Sequence, residues 1–287
     1  MRKLGVMAVA ILVSVCVWAG ALGDEEAGGA WSVLAEAERL FDRWTEPFDF
    51  DAYEDRLREA IDLWEEGLGG LPESNVQSRS RVLNRLSQAH FELAEAYLTE
   101  PGEKETAYER GKDAALASLR LDPTFDETQA SAGFRAALRS ASDVAGIFWY
   151  GNALGQWLNY HKMTAILGGV RDVAASFERS IELDESYDGA GPHRAMASLI
   201  ARAHFVIGRD RLDAADHFER CIEIAPDHLE AYVSYAEFYA RPAGDTDLFD
   251  QLIATVLELA EDQTVMDAYP FYNRLAADRA RALIGGE

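Results

Sequence analysis

Apolar residues recur at steps of three and four along most of the chain. Val82, Leu86, Ala89, Leu93 and Ala96 form one stripe down a helix, and Arg79, Arg85, Glu92 and Glu95 fall on the opposite face. No useful length shows the apolar–polar alternation of a half-buried strand. Seven of the eight prolines are read at breaks in the pattern: Pro72, Pro101, Pro123, Pro192, Pro226, Pro242 and Pro270. Each marks a helix boundary, because proline lacks the N–H that an interior helical position donates. The pattern predicts an all-α fold.

Some segments repeat. Ala114–Pro123, Ser176–Asp184 and His217–Pro226 each end a helix in a charged–apolar alternation followed by a turn. Ala214, Phe218, Cys221 and Pro226 match the spacing that closes the second helix of a tetratricopeptide repeat. A first-helix signature also recurs: a large apolar residue, a small one, then a large one three further on. Leu93-Ala94 with Tyr97, Leu154-Gly155 with Leu158 and Tyr235-Ala236 with Tyr239 fit it. The small residue lets the paired helix approach while the large ones fill the groove beside it. Ala94, Gly155 and Ala236 are unevenly spaced, so the expected architecture is an irregular tetratricopeptide-like stack of helix pairs with insertions. Such stacks leave a concave face for a partner.

The N-terminus breaks the pattern. Arg2 and Lys3 precede an apolar run from Leu4 to Trp18, then the small residues Ala19, Gly20, Ala21 and Gly23, then Asp24-Glu25-Glu26. This reads as a secretory signal peptide over residues 1–23, followed by a single helical-repeat domain over 24–287. The expected product is periplasmic. Val15 before Cys16 is bulky where a lipoprotein signal carries Gly or Ala, which favours simple cleavage over acylation of Cys16. Cys221 is then the one remaining cysteine, and its neighbours Phe218, Ile222 and Ile224 place it on a buried face.

Charge narrows the function. The 287 residues carry 27 Lys+Arg against 50 Asp+Glu, a formal net charge of −23. Such a surface repels phosphate backbones and anionic lipid, which excludes nucleic-acid and membrane-surface roles. No nucleophile elbow, P-loop, zinc-protease or Cys-x-x-Cys pattern occurs, so no enzyme and no cofactor are expected. His90, His161, His193, His204, His217 and His228 lack metal-ligand spacing. Asp49, Asp51, Glu54 and Asp55 lack the glycine and terminal glutamate of a calcium loop and read as a solvated helix start. Gly189-Ala190-Gly191-Pro192 reads as a turn.

Two segments are richer than packing demands. Phe148 to Trp157, continuing to Tyr160 and Lys162, places Trp149, Tyr150, Asn152 and Trp157 on a short helix. Tyr232, Tyr235, Phe238 and Tyr239 pair with the late Phe271-Tyr272-Asn273. Aromatic stripes at helical spacing are usually core. Tyr and Trp also carry polar tips, and a cluster of them can line a groove.

These segments resemble the TatT family, which supplies the T component of some tripartite ATP-independent periplasmic (TRAP) transporters. The match runs through Trp149, Tyr150, Leu154, Gly155 and Trp157. It continues in the turn at Leu183, Asp184, Tyr187, Asp188 and Gly189, then in Ala236, Glu237, Tyr239 and Ala240, and ends at Asn273 and Ala276. The resemblance implies a non-catalytic periplasmic accessory subunit that forms homotrimers and docks the solute-binding P subunit. It also implies an apolar cavity for a small organic acid or hydrophobic molecule, with Trp149, Tyr150, Asn152, Trp157, Tyr239 and Asn273 as binding residues. The alternative reading is a general envelope scaffold that recruits proteins to a tetratricopeptide groove.

Overall fold

The computed structural model describes residues 25–45 and 47–285. The expected signal segment, with Cys16, lies outside them. Among the described residues every regular element is a helix and no strand occurs, in line with the periodicity.

The chain is a stack of helix pairs. Helix α1 (Glu25–Phe41) packs on α2 (Phe50–Gly70), and α3 (Val76–Ala96) on α4 (Pro101–Leu119). Two short helices, α5 (Pro123–Ala132) and α6 (Phe134–Ser140), pack on each other. Helix α7 (Val144–Trp157) lies between α4 and α8 (Val170–Leu183), and α9 (Tyr187–Ile207) between α8 and α10 (Asp213–Ile224). Helix α11 (Leu229–Tyr235) meets α12 (Thr246–Leu259) and α14 (Pro270–Gly285), with α13 (Gln263–Ala268) leading into α14. The recurring first-helix signatures fall at the ends of α3, α7 and α11, and the recurring endings on α4, α8 and α10.

Local chemistry starts the helices. Asp49, Asn75, Asp122, Asp143, Asp245 and Asp262 each cap a helix by accepting a first-turn backbone N–H. The acidic run at Asp49 is such a cap. Asp143 does more: its Oδ2 also accepts from Ser80, Asn84 and Ser118, joining the starts of α3 and α7 to the end of α4.

Small residues set how closely α7 meets its neighbours, but at a different position from the one the repeat signature marks. A methyl group at Gly151 would lie 2.8 Å from Phe177 and 2.9 Å from Ser176, while one at Gly155 would meet only Val173 at 3.6 Å. Gly151 is therefore the contact point of α7 with α8.

Two backbone irregularities follow from sequence. Asp188, Gly189 and Ala190 all have positive φ, so the regular part of α9 begins at Gly191 with Pro192 in its first turn, where a proline is tolerated. A methyl group at Gly189 would lie 2.5 Å from His228, and one at Gly191 would lie 2.7 Å from Phe148. The turn is thus pressed against the core through its glycines. Further on, α11 continues through a π turn, Ala236–Ala240, into Arg241–Ala243. Pro242 provides no N–H and its ring crowds the preceding turn, which the wider π geometry accommodates.

The polar face of α3 is buried at Glu92. Glu92 is 0% exposed and Arg43 4%. Arg43 Nη2 donates to Glu92 Oε1 at 3.1 Å, beneath the rings of Phe41, Tyr53, Phe271 and Tyr272. Tyr272 donates to the same oxygen at 2.7 Å, and Phe50 stacks on Phe271 at 5.7 Å. The last helix therefore closes against the first layers.

His90 makes the fold sensitive to acid. Burial, with help from the Arg110 charge, pushes its imidazole down to about 4. Because the folded pKa lies below the usual value near 6.5, the unfolded chain takes up a proton first as pH falls. Stability from this source is full above pH 6.5 and is lost toward pH 4, on the order of 3 kcal/mol. Urea unfolding of wild type and His90→Gln at pH 7 and pH 4.5 should show a shallower acid loss in the variant. Equal losses would refute the assignment.

Candidate functional site

A cavity of about 630 Å³ lies between α3, α7, α8, α9, α11 and α14. Its apolar wall includes Phe91, Phe148, Trp149, Phe177, Leu199 and Phe238. Amphipathic helices packed in layers bury their stripes pairwise, and the space left among these six helices is lined by whatever each turns inward. The wall runs from buried side chains such as Phe148, Trp149 and Glu92 to exposed ones, Asn159, Lys162 and Arg202, which form its mouth.

Of the six expected binding residues, Trp149 and Asn152 line this cavity. Trp149 is held edge-on to Phe148 at 4.9 Å, and its indole N–H donates to the Tyr187 hydroxyl at 3.1 Å. The left-handed turn that follows Tyr187 thus supports the wall. Asn152 donates to the Phe148 carbonyl one turn back at 2.9 Å.

The other four stand outside the lining. Tyr150 is buried against Phe134, ring centroids 5.5 Å apart, and burial raises its phenol pKa. Trp157 is half-buried and stacks on His161 at 3.5 Å, with the Lys112 ammonium 4.8 Å from its ring. Tyr239 packs on Tyr235 beside Arg211, which donates to its carbonyl. Asn273 is fully buried, and its amide is spent on backbone: Oδ1 accepts from Leu229, and Nδ2 donates to the carbonyls of Asp227 and Val265, each at 2.8 Å. Tyr150 and Trp157 share one face of α7 while Trp149 and Asn152 occupy the other, as a seven-residue and a three-residue separation require.

The cavity's charged residues were not singled out from sequence. Glu92 and Glu95 on α3, Arg194 on α9, Glu230 on α11 and Arg279 on α14 all reach it. Arg279 bridges Glu230 and Glu237. Glu95 accepts from Tyr108 at 2.7 Å, and its depth within the fold raises its pKa. Arg194 donates to His228 Nε2 at 3.1 Å and faces Asp188 at 3.8 Å. Burial, then the Arg194 charge, pushes His228 well below its usual range, so it stays a neutral partner. The one usable sequence signal was the spacing of Glu92 and Glu95, three apart beside an apolar stripe.

Beside the mouth the surface turns apolar. Met163, Ile166 and Leu167 are 69%, 75% and 81% exposed. They sit on a short segment, Lys162–Thr164 and the wide turn Ala165–Gly169, where Gly168 takes a φ of +133°. Phe205 near the end of α9 is exposed as well, and Arg171 donates to the adjacent Val206 carbonyl at 3.3 Å, tying the two segments together. Isolated exposed apolar residues are ordinary; here four of them gather beside the cavity mouth. Among the described residues no group of His, Cys, Asp or Glu could hold a metal ion, and no helix is long and apolar enough to cross a membrane.

A family model described as TAtT, TRAP transporter T-component, matches residues 87–287. No curated protein matches the chain.

Proposed function

Because the chain belongs to the TRAP transporter T-component family, and so is an accessory component of a TRAP system, we propose that it is a non-catalytic, tetratricopeptide-like periplasmic subunit that passes a small ligand between its cavity and a docked solute-binding P subunit. One observation carries this reading. An aromatic-walled cavity of about 630 Å³ opens beside the exposed apolar residues Met163, Ile166 and Leu167. That volume suits a small molecule, and apolar side chains beside an opening are where a second protein would seal it.

Trp149 and Asn152 are the ligand-contacting residues of this proposal, with Phe238 opposite. Tyr150, Trp157, Tyr239 and Asn273 contribute by holding the wall's helices. Export as a homotrimer completes the reading, and sedimentation at the mass of three chains checks it.

The docking test uses Ile166→Asp/Leu167→Asp. Both residues are exposed, so the fold should melt as in wild type. Titration against the purified solute-binding P subunit of its TRAP system should show affinity reduced about tenfold or more, since two buried charges replace apolar contacts. Undiminished binding by the variant would place docking elsewhere and defeat this part of the proposal.

A further inference from the structure

His193 in the first turn of α9 and His217 on α10 meet ring to ring, Nδ1 to Nδ1 at 2.8 Å. The other nitrogen of His193, Nε2, faces a Glu185 carboxylate oxygen at 3.1 Å. Arg220 on α10 donates to the same carboxylate at 2.7 and 3.2 Å, and these bonds, with that from His193, hold the Glu185 pKa below its usual range. The contacts fix the protons. A charged carboxylate only accepts, so neutral His193 carries its hydrogen on Nε2 and leaves Nδ1 bare. His217 then donates from its own Nδ1. One added proton breaks nothing, because an imidazolium still donates to a neutral ring. Two cannot be held, since each Nδ1 would then carry a hydrogen aimed at the other.

The surroundings keep both rings neutral at pH 7. Burial lowers the His193 pKa, with Glu185 opposing and the Arg220 charge assisting; Arg220 also bonds Glu223. Burial, then the His193 charge, pushes His217 down to about 4. Arg209, itself paired with Glu178 of α8, acts in the same direction, and Asp213 and Asp216 act against it. We propose that the pair is an acid-operated joint, which holds α10 against the start of α9 while it carries at most one extra proton and lets go when both rings are charged. The joint stands at the root of the helix that supplies Arg194, Ser198, Leu199 and Arg202 to the cavity, so acid loosens that wall whatever the cavity holds. The sign follows from linkage. A closed pair that resists protons gives way to an open one that takes them up, so the joint is tight above about pH 6.5 and slackens toward about pH 4.

Cys221 allows the opening to be timed. It lies one turn beyond His217 on α10, is fully buried beside Ala190, and its thiol is 3.8 Å from the Gly189 carbonyl. Its reaction with 4,4′-dithiodipyridine, a disulfide that stays reactive in acid, is followed at pH 7 and pH 4.5 and located by peptide mass. Each rate is divided by that of the urea-unfolded chain at the same pH. In wild type the ratio should rise about tenfold or more on acidification, with the helical circular dichroism unchanged. His217→Asn sets an amide where Nδ1 stood. The amide donates to a neutral His193 or accepts from a charged one, and it cannot itself be charged. Its ratio should therefore change by less than about threefold between the two pH values. His193→Asn removes the other half of the pair and should flatten the response in the same way. A flat ratio in wild type would overturn the joint. So would a rise of wild-type size in either variant, since acid would then reach Cys221 by another route.

Discussion

Replacing Arg43 with alanine is expected to lower stability by about 3–5 kcal/mol, because it strands the Glu92 carboxylate in the core. The guanidinium sits 4.6 Å from the Phe41 ring centroid and 5.3 Å from that of Phe271, out of reach of solvent. Gln88 and Tyr272 would still donate to Glu92, but neither supplies a compensating charge. Removing both charges together should hurt less. Arg43→Met/Glu92→Met should recover a substantial part of the loss, since apolar pairs of similar volume often replace buried ion pairs at little cost. Urea unfolding of the two variants beside wild type decides the matter. A loss below 1 kcal/mol for the single variant would mean that water reaches the pair, contrary to its burial.

Asn273→Ala is expected to cost about 3–6 kcal/mol, because three buried backbone groups lose their partner at once. The Leu229 N–H and the Asp227 and Val265 carbonyls belong to the start of α11, the turn before it and α13, so one side chain pins three segments to α14. Asn273→Asp keeps the acceptor for Leu229 but sets an oxygen against two carbonyls, and should also be destabilised. Thermal melting of both variants checks this. Melting within 3 °C of wild type would show that the backbone finds other partners.

The helices were legible because amphipathic periodicity is local. The stripe Val82–Ala96 and the Asp and Asn caps needed no knowledge of the rest of the chain. What was not legible is what depends on a second layer. Glu92 falls opposite the apolar stripe, yet it is buried because α3 has neighbours on both sides, and its partner Arg43 lies in the connection between α1 and α2. Gly155 matched the repeat signature, while Gly151 makes the close contact with α8, since a repeat pattern gives spacing but not the tilt of one helix on another. The aromatic segment of α7 was recognisable as special. Its division into a cavity face with Trp149 and Asn152 and a packed face with Tyr150 and Trp157 required the positions of α8 and α9. Asn273 shows the same gap: a polar residue beside two aromatics suits either a ligand or the backbone, and only the fold says which.

The closure of the last helix on the first layers changes what kind of object this array is. In an open solenoid each unit touches only its neighbours, and unfolding can spread from an end while the remainder survives. Here Trp44 donates to the Ala268 carbonyl across 224 residues of sequence, and Tyr272 to Glu92 across 180. Both ends of the chain hold the same aromatic cluster, so fraying at one terminus removes the packing of the other. The stack is therefore expected to melt as one cooperative body. It must also bring these distant segments together before that cluster can form, so folding is expected to be slow for a helical protein.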